Sequence, residues 1–332
     1  MKYKKGILLY SGGLDSLLAA QILMEQDIEI IGVHFVLPFV SPHFDLAELP
    51  SSRFAKQIGL PIIFFRCTED YMKMVENPLH GYGKLINPCI DCKIYFLRKA
   101  SEIMHKENAS FVATGEVVGQ RPMSQMKHTL NHIEKETGLR GYLLRPLSAK
   151  LLRPTEAEND GIVNREKLLA INGRSRKEQI ELANKYNISD YSSPAGGCQF
   201  TDKNMAKRVI DMFKYYPEYN MVDVYLLTIG RHYRLHDNVK IIVSRNENEN
   251  LELMQFKEYA DYIFMPDFRG PVIFVKGDLD DENLNIVGSI AKRYGKCDND
   301  MWYIDIIQKD LNPRKLLITY KATDDLLNEI RI

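Results

Sequence analysis

The chain has 332 residues, 45% of them hydrophobic, which is more than one ordinary core needs and makes two domains the expectation. Its 44 Lys and Arg are balanced by 44 Asp and Glu, which excludes a basic tail that coats RNA but leaves room for a local basic face. No apolar run approaches the roughly 18–20 residues that span a bilayer, and the first run lacks a small-residue cleavage site, so a cytoplasmic protein without membrane contact is expected.

Gly6–Tyr10 predicts a first strand, Leu17–Gln26 a helix, and the β-branched Ile28–Val36 a buried parallel strand. Leu46–Ile58 has helical character, Pro61–Phe65 reads as a third strand, Tyr95–Glu107 as a helix, Phe111–Ala113 as a fourth strand and Leu143–Arg145 as a fifth. Strands alternating with helices predict an α/β fold with a parallel sheet, whose ligands bind beyond the carboxyl ends of the strands. The composition changes near Phe200. A helix over Lys203–Tyr215 is followed by the turn-rich Tyr215–Asn220 and then by strands at Val222–Ile229, Val239–Val243, Tyr262–Met265, Val272–Val275, Trp302–Ile307 and Lys315–Tyr320. The expected division is residues 1–202 and a smaller α+β domain over 203–332.

Ser11-Gly12-Gly13-Leu14-Asp15-Ser16 lies between the first strand and the first helix. Glycines allow the backbone to bend tightly against an anion. The helix N-terminus then presents N–H groups and a favourable dipole to phosphate, and Ser11 and Ser16 add hydroxyls. Asp15 suits such a site if it holds Mg²⁺. The Gly-Lys-Ser/Thr ending of kinase-type loops is absent. The hexapeptide resembles the Ser-Gly-Gly-x-Asp-Ser signature of the PP-loop ATP pyrophosphatases, of the adenine-nucleotide α-hydrolase-like fold. That resemblance implies ATP cleaved between its α and β phosphates, with AMP passed to a substrate oxygen.

The segment from Ala113-Thr114-Gly115-Glu116 through Gly119, Gln120, Ser124 and Gln125, followed by Leu143-Leu144-Arg145-Pro146-Leu147, resembles the PP-loop domain of the tRNA 4-thiouridine synthases (tRNA sulfurtransferases). By position the resemblance assigns Thr114, Gly115, Glu116, Gly119, Gln120, Ser124 and Gln125 to the ATP and target-uridine site. Two departures from the family stand out. The loop begins too early for a preceding RNA-binding module, and no rhodanese-type sulfur carrier is recognisable downstream.

Five cysteines (Cys67, Cys89, Cys92, Cys198 and Cys297) are an odd number at uneven spacing and argue against a disulfide framework. Cys89-Ile90-Asp91-Cys92 opens a helix, and Cys198 follows Gly196-Gly197. Two thiolates at this spacing and a third from a distant loop can form a tripod. Three routes stay open. A 4Fe–4S cluster on Cys89, Cys92 and Cys198 with one open iron resembles the iron–sulfur-dependent tRNA thiolases, in which sulfide is the incoming sulfur. Alternatively, Cys198 carries a persulfide and Cys89 or Cys92 resolves it. A closed zinc site is the third, with Cys67 as its fourth ligand, although Cys67 at a strand end reads as a small buried residue. Cys297 is expected to be unrelated.

Arg145, Lys150, Arg153, Arg174, Arg176 and Lys177 are candidates for holding the RNA backbone, with Gly173–Lys177 the densest group. Gly230–Leu235 and Val239–Asn250, with Ser244, Arg245, Asn246 and Asn250, resemble the RNA-binding domain of NFACT-type proteins, with Ser244 where that family carries glycine. The resemblance implies an RNA grip in the second domain; the alternative is a domain for homodimerisation. Together these motifs predict an ATP-dependent tRNA uridine thiolase making 4-thiouridine, with Asp15, Cys89, Cys92 and Cys198 as its reacting groups. Alternatives are 2-thiouridine synthesis, a PP-loop ligase with a nitrogen nucleophile, and an RNA-binding protein with a degenerate nucleotide site. Cys198 argues against the ligase, and the intact Asp15 and Ser16 against the degenerate site.

Overall fold

The computed structural model describes residues 3–192, 198–296, 302–309 and 311–332. The chain divides into two compact units: one runs up to Leu37 and resumes over His43–Thr201, and the other comprises Pro38–Pro42 and Asp202–Ile332. The turn-rich Tyr215–Asn220 therefore lies inside the second unit.

In the first unit the elements run β1 (Lys5–Leu9), α1 (Leu14–Met24), β2 (Glu29–Val36), α2 (Pro50–Lys56), β3 (Ile62–Arg66), α3 (Glu69–Glu76), α4 (Cys89–Lys106), β4 (Phe111–Thr114), α5 (Lys127–Thr137), β5 (Leu143–Leu144), α6 (Glu156–Asn159) and α7 (Lys177–Lys185). The five strands are parallel in the order β3-β2-β1-β4-β5, the α/β arrangement expected. Neighbouring residues of β1 serve opposite faces: Ile7 packs with Ile94 and Leu97 of α4, and Leu8 with Leu17 and Leu18 of α1. Helix α1 is buried almost all round, which accounts for its weak polar–apolar contrast. The chain leaves β1 for β2 on one side and returns to β4 on the other. That reversal places the crevice between the β1 and β4 ends at the switch point where such sheets bind ligands.

The second unit contains α8 (Lys203–Tyr215), α9 (Met221–Leu226), β6 (Arg231–His236), β7 (Val239–Val243), α10 (Glu247–Gln255), β8 (Tyr262–Pro266), β9 (Ile273–Lys276), α11 (Asp281–Tyr294), β10 (Trp302–Gln308), β11 (Arg314–Ile318) and α12 (Asp324–Glu329). Its six strands form an antiparallel sheet, β11-β10-β8-β9-β7-β6. Val243 faces Leu284 and Val287 of α11, whereas Ile242 faces Leu253 of α10, so helices cover both sides. The strand expected over Val222–Ile229 is instead helix α9. Asn220 accepts from the N–H groups of Val222 and Asp223, and Asp223 returns a bond to the Asn220 N–H, a capping box that fixes a helix start where the apolar run alone fits either element.

Candidate active site

The loop after β1 is closed by its own side chains. Ser16 Oγ donates to the Gly13 carbonyl at 2.7 Å, and Ser11 Oγ accepts from the Gly13 N–H at 3.3 Å. The two serines thus shape the loop as well as bordering the cavity. Gly12 has φ +75°, and a Cβ there would meet the Ser51 side chain at 3.0 Å, so both conformation and space call for glycine. Gly13 is the N-cap of α1; the Ser16 N–H is bonded to the Gly13 carbonyl, and the N–H groups of Leu14 and Asp15 together with the helix dipole suit an anion. On the neighbouring strand Thr114 is paired with Leu9, and Gly115 then passes against the loop. A Cβ on Gly115 would stand 2.5 Å from the carbonyl carbon and oxygen of Asp15. Gly115→Ala is therefore expected to push Asp15 out of place and weaken ATP binding at least about tenfold, with the fold retained. Titration with ATP checks this; wild-type affinity would contradict it.

These elements enclose a cavity of about 480 Å³, within the range that small-molecule sites occupy. Ser11, Gly13, Asp15, Ser16, Thr114 and Gly115 line it. Gln120 sits behind Asp15, donating through Nε2 to Asp15 Oδ2 at 2.9 Å. The buried Gln179 of α7 donates in turn to Gln120 Oε1 at 3.4 Å. Glu116 and Gln125 also line the cavity, while Gly119 and Ser124 are not among its lining residues. Lys93, His34, Phe96 and Arg121 line it as well and carried no motif in the sequence. Burial lowers the His34 pKa, against the opposing bond to the Tyr10 carbonyl.

Arg176 was expected at an RNA surface. It lies instead in this cavity, with Nη2 3.0 Å from Asp15 Oδ2. A cation beside the loop suits the phosphates of a nucleotide. Asp15 Oδ1 is buried and makes no hydrogen bond. An unpartnered carboxylate oxygen beside a phosphate-type loop fits Mg²⁺, which takes one or two carboxylates together with substrate phosphates.

Arg145 is also not an RNA contact. It is almost fully buried, with Nε 3.1 Å from Glu116 Oε2 and Nη1 paired with Glu134. Lys93 Nζ lies 3.3 Å from the other oxygen of Glu116. Burial works to raise the Glu116 pKa, but the charges of Lys93 and Arg145 outweigh it and hold the carboxyl down at about 2. Arg174 and Lys177 are exposed, as Lys150 and Arg153 are.

Cys89 and Cys92 open α4, and Lys93 and Phe96 of the same helix face the cavity. The Tyr71 hydroxyl and Cys92 Sγ are 3.3 Å apart. Burial pushes the Cys92 thiol up to about 12; the Tyr71 hydrogen bond opposes the rise, and the charges of Cys198, Cys89 and Asp91 add to it. Among the described residues, no three His, Cys, Asp or Glu side chains converge on one point as a single ion requires. Cys67 is buried, its thiol raised to about 12 chiefly by burial, as a packing residue would be. Gly196, Gly197 and Cys297 lie outside the described residues. The approach to the Cys198 segment is tied to the phosphate loop, because the Ser192 N–H donates to the Gly12 carbonyl at 3.0 Å. No helix among the described residues is long and apolar enough to cross a membrane.

Residues 2–150 match the family model described as "Thiamine biosynthesis protein (ThiI)", and residues 230–329 the model described as "NFACT protein RNA binding domain". A "tRNA-specific 2-thiouridylase MnmA" of Petrotoga mobilis is 31% identical over 134 residues, 35% of this chain and 36% of that protein. A "Probable tRNA sulfurtransferase" of Halothermothrix orenii is 32% identical over 150 residues, 43% of this chain and 35% of that protein. The chain thus spans little more than a third of the length of these relatives. A 4-thiouridine synthetase solved with RNA and bound ATP aligns at TM-score 0.38 and 21% identity, covering 60% of this chain and 46% of that one. The chain is similar to the ThiI family over residues 2–150 and to the NFACT RNA-binding domain over residues 230–329, the two resemblances carried by its motifs.

Proposed function

We propose that the chain is an ATP-dependent tRNA uridine thiolase of the cytoplasm. The observation that supports this most is that one cavity is bordered both by the phosphate loop and by the helix that begins with Cys89 and Cys92. An activating site and a sulfur site then serve the same substrate atom. The uridine carbonyl oxygen attacks the α-phosphorus of ATP, the bond to the β-phosphate oxygen breaks, and pyrophosphate leaves. Sulfur attacks the activated carbon, and AMP departs with the former carbonyl oxygen. The first-turn N–H groups of α1 and the Arg176 guanidinium hold the phosphates, and Asp15 Oδ1 would hold Mg²⁺, which supplies charge neutralisation. Cys89, Cys92 and Cys198 would hold a 4Fe–4S cluster, which supplies a binding place for inorganic sulfide. In the alternative route Cys198 carries the sulfur as a persulfide, and a thiol reductant must reopen the disulfide left behind. The favoured product is 4-thiouridine; 2-thiouridine is the alternative, supported by the likeness to the 2-thiouridylases.

The cysteines and the phosphate loop lie on different elements and carry different steps, so activation and substitution are separable by substitution of single thiols. Cys89→Ala, Cys92→Ala and Cys198→Ala are each expected to lose thiolation and cluster absorbance after anaerobic reconstitution, while tRNA-stimulated pyrophosphate release persists. Cys67→Ala keeps both. Pyrophosphate release that is identical with and without tRNA removes tRNA as the substrate. Full thiolation by strictly iron-free protein, given a persulfide donor, replaces the cluster route by the disulfide route.

A further inference from the structure

The second unit carries a groove of about 660 Å³ whose walls include Arg231, Arg245, Arg269 and Lys296. Glu247 is the one acid among its described lining residues and Arg245 is paired with Glu249, which leaves Arg231, Arg269 and Lys296 to give the groove a positive field. Its base is rigid: Asn250 Oδ1 accepts from the Val272 N–H at 2.9 Å, and Asn250 Nδ2 reaches the Gly270 carbonyl. The Lys296 N–H donates to the Arg269 carbonyl at 2.7 Å, setting two exposed cations on paired backbone. Arg231 is held differently. Its guanidinium lies 4.5 Å above the Tyr294 ring, and the Tyr294 hydroxyl is bonded at 2.7 Å to that of the fully buried Tyr233.

We propose that this groove holds an unpaired stretch of RNA, with a base stacked on the buttressed Arg231 plane and phosphates on Arg269 and Lys296. Splayed bases stack on guanidinium planes and aromatic rings, whereas a duplex keeps its bases stacked inward and out of reach of such a plane. The inference rests on the tRNA reading above and narrows it: the second unit grips a loop or a single-stranded end, not a stem.

The test uses the intact chain, a fluorescent single-stranded oligoribonucleotide, and a duplex of the same length and label. The single strand is expected to bind about tenfold or more tightly than the duplex. Arg269→Gln with Lys296→Gln weakens it about tenfold and lowers the slope of log affinity against log salt by about 0.7 per lost contact. Arg231→Lys keeps the charge and loses the plane, so affinity falls while the salt slope stays. Equal affinity for duplex and single strand, or wild-type binding by the double variant, overturns the groove. Failure of the tRNA reading shows separately, as wild-type protein that binds the single strand yet releases no additional pyrophosphate with tRNA.

Discussion

Asp15→Ala is expected to lower pyrophosphate release from ATP by about 10²–10³-fold or more while leaving the protein folded. Asp15 Oδ2 accepts from Gln120 and Arg176, and its Oδ1 is unpartnered. Removing it deletes the expected Mg²⁺ ligand and leaves the Arg176 guanidinium without its carboxylate. A nucleotide can still be drawn to that cation, so binding should suffer less than turnover. The two are separated by measuring ATP affinity and AMP formation on the same preparation, with a thermal melt to confirm folding. Near-normal AMP formation would remove Asp15 from the chemistry.

Glu116→Gln acts on stability. Arg145 has a fully buried side chain and Lys93 is largely covered, and both lean on this carboxylate. Withdrawing one partner from a buried ion network costs about 3–5 kcal/mol, because a buried charge is left uncompensated. The low end is expected here, since Glu134 still reaches Arg145. For a unit of this size that is a fall of roughly 10 °C in Tm. The sign of the pH dependence follows from the depressed carboxyl. Its pKa is about 2 in the fold against an ordinary 4.5, so its contribution is whole above 4.5 and is lost as pH falls toward 2. Denaturant unfolding should therefore separate wild type and variant widely at pH 7 and much less near pH 3. An equal gap at both values would contradict the ionic assignment.

Much of this was legible from residues. Gly12, Gly13 and Asp15 stood in one hexapeptide between a strand and a helix, and the alternation of apolar runs with helical stretches gave the parallel sheet. Arg145 and Arg176 carried the same signal in the sequence and came to different places in the fold. A cation in a motif looks the same whether it meets phosphate, a buried carboxylate or Asp15, and only the fold decides which. Lys93 had a signal, standing one residue beyond Cys92 on a helix start, but no spacing rule tied it to Glu116. Helix α11 also has a sequence signal: Leu284, Val287 and Ala291 recur at helical spacing behind an Asp280 cap. Helix α9 was beyond reach without its capping box, because six residues of mixed apolar character carry no decisive period.

Mass spectrometry of tRNA nucleosides tests the proposed thiolase activity most directly. Unmodified tRNA is incubated anaerobically with iron-reconstituted protein, ATP, Mg²⁺ and sulfide, then digested and analysed. The predicted result is a uridine whose mass has risen by the exchange of one oxygen for sulfur, formed only when ATP is present and absent with Asp15→Ala. ATP converted to AMP and pyrophosphate with every uridine unchanged, or a nitrogen in place of the oxygen, would contradict it.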